Sequence, residues 1–136
     1  ADGVPVMVCV PGDRDVNDVK LRHVLGAKKV ELADYETVLR ASGANAGSVG
    51  PVKPASADLR IVADQALRGA RGCIVGANKD DVHLKNVDLA RDTKLADADF
   101  ADLVVVRDGD VCPHCGKPLV IKRGIEVGHV FKLGTK

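Results

Sequence analysis

The chain has 136 residues, 46% of them apolar, with 20 basic and 19 acidic side chains and a net charge of +1. That apolar content excludes a disordered chain, and the length fits one domain with a real core. The near-neutral charge argues against a module that binds RNA alone, because phosphate neutralisation supplies most non-specific affinity. With one Tyr, two Phe and no Trp, the core must be packed by Val, Leu, Ile and Ala. No apolar run approaches the roughly 18 residues needed to span a bilayer. The four cysteines (Cys9, Cys73, Cys112, Cys115) have the spacing of buried thiols plus one Cys-x-x-Cys. That usage favours a reducing cytosol, so a cytoplasmic location is expected.

In chain order, residues 4–10 are nearly all apolar and predict a buried strand. Pro11-Gly12-Asp13 breaks it. Asp13 or Asp15 is placed to cap a helix running to about Leu25, which Gly26 stops. Residues 28–32 predict a short strand, and Asp34 can cap a second helix ending at Ser42-Gly43. The glycine-rich stretch 43–51 predicts a loop. Strands are expected at 59–63 and 72–76 with a helical turn between them, then at 83–87 and 102–106. Asp108-Gly109-Asp110 predicts a tight turn. Residues 119–122 and 126–133 predict extended segments. The pattern is that of an α+β fold, a mixed and mostly antiparallel sheet with flanking short helices.

Several residues carry chemistry. Lys20 projects between Val16 and Val24, with Val19 on the same side. A lone buried ammonium is costly, so Lys20 either snorkels to the helix edge or has a partner. The loop Gly47-Ser48-Val49-Gly50-Pro51 lets a ligand approach backbone closely and can aim N–H groups at a developing oxyanion. It is no nucleotide fingerprint, since no Gly-x-Gly-x-x-Gly occurs. Asp64 could bind an amine or simply cap a turn. His83 could orient water or sit on an outer strand face. Cys112-Pro-His-Cys115-Gly looks like half a zinc knuckle, but structural zinc needs four ligands, and no metal site is expected. No Gly-x-Ser-x-Gly elbow is present, and Cys9 reads as core.

Four stretches occur together and in order: Gly12-Asp-Arg-Asp-Val-Asn-Asp-Val-Lys20, Gly47-Ser-Val-Gly-Pro51, Ile61-Val-Ala-Asp64, and Gly76-Ala-Asn-Lys-Asp-Asp-Val-His83. With the closing Gly124-Ile-Glu-Val-Gly-His-Val-Phe-Lys-Leu-Gly-Thr-Lys136, they closely resemble the editing insertion of bacterial-type prolyl-tRNA synthetases, in the YbaK-like deacylase superfamily. Asn86-Val-Asp-Leu-Ala-Arg-Asp92 adds to the likeness, and its acid–base pair is expected to be structural. Val52-Lys53-Pro54 departs from the Val-Asn or Val-Gly common in that family.

The resemblance implies a piece of a longer synthetase, with residues 1–118 as the editing core and 119–136 leading back into a catalytic domain. It implies metal-free hydrolysis of mischarged Ala-tRNA(Pro), with no cofactor for editing; ATP and Mg would serve only the synthetase domain. Lys20 would engage the terminal nucleotide, residues 47–51 would position the ester, Asp64 would hold the α-amine and His83 would shape the pocket. The water-activating group stays open between the ribose hydroxyl and a backbone carbonyl. Implied partners are the 3′ end of tRNA(Pro) carrying alanine and the catalytic and anticodon-binding domains of a homodimeric parent, with no membrane. The family's insertion normally has helices before its first strand, where this chain has residues 1–5. An open pocket wall is therefore expected, with apolar side chains exposed near 6–10 or 16–24. The alternatives are a free-standing deacylase for another mischarged tRNA such as Cys-tRNA, and a non-catalytic tRNA-docking insertion.

Overall fold

Three strands form a parallel sheet with β2 (Arg60–Asp64) at its centre, flanked by β1 (Val6–Cys9) and β5 (Phe100–Ala101). This is a computed structural model that describes residues 1–131. Register runs from Val6 opposite Arg60 to Cys9 opposite Ala63, and Ala63 and Asp64 lie opposite Phe100 and Ala101. The expectation of a mostly antiparallel sheet is corrected here. Two helices and a long loop separate β1 from β2, which allows the crossover that a parallel pair requires. Among the strands, antiparallel pairing occurs in the hairpin of β3 (Cys73–Gly76) and β4 (His83–Val87), and two isolated antiparallel bridges lie outside them. The α+β class stands.

Helix α1 (Asp18–Leu25) begins later than its acidic residues suggest. Asn17, not Asp13 or Asp15, is the cap, its side chain accepting from Val19 N at 3.0 Å and Lys20 N at 3.1 Å. The cause is tertiary: residues 15–17 are extended against 103–105. Val105 N donates to Asp15 O and Asn17 N to Leu103 O, so helical geometry starts only at Asp18. Gly26 ends the helix with φ +64, as glycine does at such a stop. Helix α2 (Tyr35–Ser42) follows its expected limits, capped by Asp34 and closed by Gly43. A turn of 3-10 helix (Gln65–Leu67) follows β2, and the four-residue α3 (Leu89–Asp92) follows β4.

The strand expected at 28–32 does not form, because Asp2 takes its pairing groups. The Asp2 carboxylate accepts from Lys28 N and Lys29 N, and Asp2 N donates to Lys29 O. Likewise 102–106 is extended chain with one bridge, Val16 to Val104, because its neighbours supply single bonds rather than a ladder.

The core is Leu21, Val62 and Leu103, with Val6, Val8, Val10, Val16 and Leu25 packed against them. Full burial of such side chains contributes about 1.5–3 kcal/mol each. On α1, Val19 and Val24 are exposed, whereas the side chains of 6–10 are half-buried.

The chain divides into two compact units, Ala1–Val105 and Val106–Lys136. This structural boundary is distinct from the functional division expected between 118 and 119. In the second unit Gly109 turns the chain at φ +85. A small hairpin follows, with Val111 bridged to Pro118 and Cys112 N donating to Lys117 O at 2.9 Å. No regular element forms at 119–122 or from 126 to 131. The rest of the expected extension to 133 and of the return segment to 136 lies outside the described residues. No helix among the described residues is long and apolar enough to cross a membrane.

Candidate active site

The loop of residues 47–51 is fixed by glycines on both sides of a backbone contact. A Cβ on Gly50 would lie 1.9 Å from Gly76 O, and one on Gly76 would lie 2.3 Å from Val49 O. Only two glycines allow this approach. Asn78 then locks it: Gly50 N donates to its Oδ1 at 2.8 Å, and its Nδ2 donates to Gly50 O and Val52 O, both at 2.9 Å. Asn78 holds φ +55, a region asparagine tolerates better than most residues. Ser48 adds two further ties, its carbonyl accepting from Asn78 N and its hydroxyl from Asp81 N. Asn45 donates through N and Nδ2 to the two carboxylate oxygens of Asp80, each at 2.8 Å.

His83 stands opposite Gly76 across the β3–β4 pair, exposed at the start of β4. Gly76 therefore contacts the loop and pairs with His83, which brings these two predicted features together. Of the four N–H groups at 47–50, two are committed: Ser48 N to Asn45 O and Gly50 N to Asn78 Oδ1. The N–H groups of Gly47 and Val49 donate to nothing among the described residues.

Lys20 and Asp64 are brought together elsewhere, through residues 102–104. Lys20 Nζ donates to Asp102 Oδ1 at 2.6 Å and to Val104 O at 2.8 Å, half-buried against the end of the sheet. An ammonium carries three N–H donors, so one is left for a ligand. Asp64 is 1% exposed, with Oδ2 accepting from Leu103 N at 2.8 Å and Oδ1 from Ala66 N at 2.9 Å. Its carboxylate is thus spent on backbone, capping the turn after β2 and tethering Leu103.

An apolar cleft of about 90 Å³ opens between the start of β1 (Val6, Met7), α2 (Thr37, Val38) and the loop at Val49. A second cleft lies against β4. Of the predicted residues only Val49 lines either; Lys20, Asp64 and His83 line neither. Sequence reasoning left two participants unassigned. Asn78 carried a signal, its place in Gly-Ala-Asn; Asp102 carried none, because 82 residues separate it from Lys20.

Burial pushes the Cys9 thiol up to about 11, so it is protonated and inert at neutral pH. Cys112 is shifted the other way, held below the usual thiol range by the backbone N–H groups of Cys115 and His114 and by the Cys115 side chain. Among the described residues, no group of three or more His, Cys, Asp or Glu is placed to hold a metal ion.

The sequence model of the aminoacyl-tRNA editing domain matches residues 1–93, a stretch that includes Lys20, the 47–51 loop, Asp64 and His83. The chain belongs to this family. Proline–tRNA ligase of Geobacter sulfurreducens is 48% identical over 137 residues, which cover 100% of this chain and 23% of that protein. The enzyme of the same name from Oleidesulfovibrio alaskensis is 50% identical over 136 residues, again 100% of this chain and 23% of that protein. The chain thus spans about a quarter of the length of the relatives it matches.

Proposed function

We propose that this chain is the editing insertion of a proline–tRNA ligase and hydrolyses the ester joining alanine to the 3′ end of tRNA(Pro). The observation that carries the reading is the clamped 47–51 loop, with two uncommitted N–H groups beside a small apolar cleft at Val49. The ester carbonyl would lie over the loop, where Gly47 N and Val49 N donate to the oxyanion as water adds. Donors on a loop that Asn78 ties at Ser48, Gly50 and Val52 need not reorganise during the reaction, which is the source of their catalytic value. The cleft has room for a small aliphatic side chain. A synthetic site shaped for proline cannot strongly reject the smaller alanine, so a second, hydrolytic site supplies the missing selectivity.

The remaining donor of Lys20 would bind the terminal nucleotide, and Asp102 and Val104 O would aim it. For Asp64 the geometry supports positioning rather than the expected amine contact, since its carboxylate is closed to solvent and fixes Leu103 beside Asp102. His83 would shape the rim next to Gly76. The reaction needs no metal or other cofactor, and the partners are tRNA(Pro) and the catalytic and anticodon-binding domains of a dimeric parent.

The test is a deacylation panel with the full-length protein on tRNA(Pro) carrying alanine, proline or cysteine. Loss of alanine with retention of proline is expected. Preferential hydrolysis of the cysteinyl ester would replace this substrate assignment with the free-standing-deacylase type of specificity.

A further inference from the structure

The second cleft, about 480 Å³, lies between the residues that follow the clamped loop, Val52 and Lys53, and strand β4 with the Arg91–Asp92 turn. Its charge is unbalanced. Arg91 is neutralised, donating to Asp92 Oδ2 at 2.6 Å and Oδ1 at 2.8 Å and to Asn86 O at 3.0 Å. Asp92 is held down to about 2, first by the Arg91 side chain and then by Asp88 N, so it stays ionised as Arg91's partner. Lys53 and Lys85 also line the cleft, both exposed, and neither makes an ion pair or side-chain hydrogen bond among the described residues. Two ammonium groups therefore face an open cleft whose other walls include the apolar Val52, Leu84 and Val87.

Two of the five non-glycine residues with positive φ among the described residues line this cleft. Lys53 holds φ +47, in the left-handed region that residues with a Cβ seldom adopt, and Asn86 holds φ +62, which asparagine tolerates better. Such conformations persist where surrounding structure over-determines them and gather at ligand sites. Asn78 Nδ2 grips Val52 O, so Lys53 leaves the clamp that fixes the 47–51 loop. Lys85 and Asn86 fall where β4 bulges, between the Val75–Leu84 and Cys73–Val87 pairs. The cleft is thus lined by the residues next in the chain to both features of the candidate site, Val52 after the loop and Leu84 after His83.

We infer that this cleft receives the single-stranded RNA immediately upstream of the terminal adenosine, with phosphates on Lys53 and Lys85 and a base against Val52, Leu84 and Val87. The inference rests on the editing reading for the identity of its ligand. Single-strand grooves combine charge that tracks the backbone with side-chain faces for the bases, usually aromatic; here two ammonium groups supply the charge and aliphatic side chains the cover.

The test uses the full-length protein with Lys53→Glu and Lys85→Glu, singly and combined, and Lys28→Glu as a control of equal charge change lining neither cleft. Thermal melts verify folding, and a Lys53→Gln, Lys85→Gln pair serves if the reversed pair fails to fold. For Ala-tRNA(Pro), the double variant should raise KM about tenfold or more with kcat within twofold. Its slope of log affinity against log salt should become shallower by about 1.4, at roughly 0.7 for each single-strand phosphate released. Hydrolysis of 3′-alanyl adenosine, which has no upstream phosphate, should be unchanged. Uncharged tRNA should compete for the cleft, whereas adenosine monophosphate at equal phosphate concentration should not.

An unchanged KM and salt slope, or an equal effect from Lys28→Glu, would overturn the inference. So would competition by the mononucleotide equal to that by tRNA. If the parent protein binds tRNA through Lys53 and Lys85 yet hydrolyses no ester, the groove stands and the editing reading falls. If the parent hydrolyses the ester and the double variant matches it, the groove falls and the editing reading stands.

Discussion

Gly50→Ala isolates the contact on which the candidate site depends. Gly50 does not hold a positive φ, so alanine is compatible with its backbone, and the obstacle is space alone. The new Cβ would meet Gly76 O at 1.9 Å, Gly76 C at 2.8 Å and Gly76 N at 3.1 Å, all of them backbone that cannot rotate away. Ordinary contact begins at about 3.4 Å, so loop and strand must part by about 1.5 Å. The three Asn78 side-chain bonds, now 2.8–2.9 Å, cannot survive that displacement. At a net value of about 1 kcal/mol each, with a residual packing penalty, the loss comes to roughly 3–4 kcal/mol. For a chain of this size that is a melting-temperature drop on the order of 10 °C. Thermal unfolding followed by far-UV circular dichroism measures it, with deacylation of Ala-tRNA(Pro) by the full-length variant read in parallel. Gly12→Ala is the control: nothing lies within 4 Å of its added Cβ, and the melt should move by less than about 2 °C. A Gly50→Ala variant that melts with the parent and hydrolyses at the parent rate would refute the clamp.

Lys20→Ala should slow hydrolysis of Ala-tRNA(Pro) by about ten- to a hundred-fold while leaving proline activation intact, as expected for one charge-assisted contact. Asp102→Asn should do less, because Val104 O still holds the ammonium; a Lys20→Ala variant at the parent rate removes Lys20 from the mechanism. Exhaustive chelation should leave fold and activity in place, and stoichiometric zinc lost together with structure would contradict this. Thiolates are the reactive species, so alkylation accelerates as pH rises through each thiol's pKa. Near pH 8 iodoacetamide should therefore modify Cys112 well before Cys9, whose pKa is about 11, and the reverse order would show that the two thiol environments are misassigned.

Much of the local structure was legible. Asp34 and Gly43 bounded α2, Gly26 stopped α1, and β4 fell on the expected residues, because caps, stops and period-2 runs act within a few residues of chain. What failed was decided at long range. Asn17 rather than an aspartate caps α1 because strand-like contacts from 103–105 hold residues 15–17 extended. Asp2 dissolves the strand expected at 28–32 by taking two of its N–H groups. Parallel pairing of β1 with β2 depends on how some fifty residues of connection fold back, which no local pattern records. In the site, the glycine loop announced itself by composition, but its partner Gly76 lies 26 residues away and looks like any strand-end glycine. Asp64 was legible as a carboxylate at a strand end; that Leu103 N would occupy it was not.

Ester hydrolysis at the tRNA 3′ end is decided by single-turnover release of labelled alanine from Ala-tRNA(Pro) by the full-length protein, beside an enzyme-free control. Release at least ten times faster than the spontaneous rate is predicted, undiminished when proline activation is blocked by a non-hydrolysable prolyl-adenylate analogue. Release no faster than in the control, with tRNA bound and the domain folded, would contradict it.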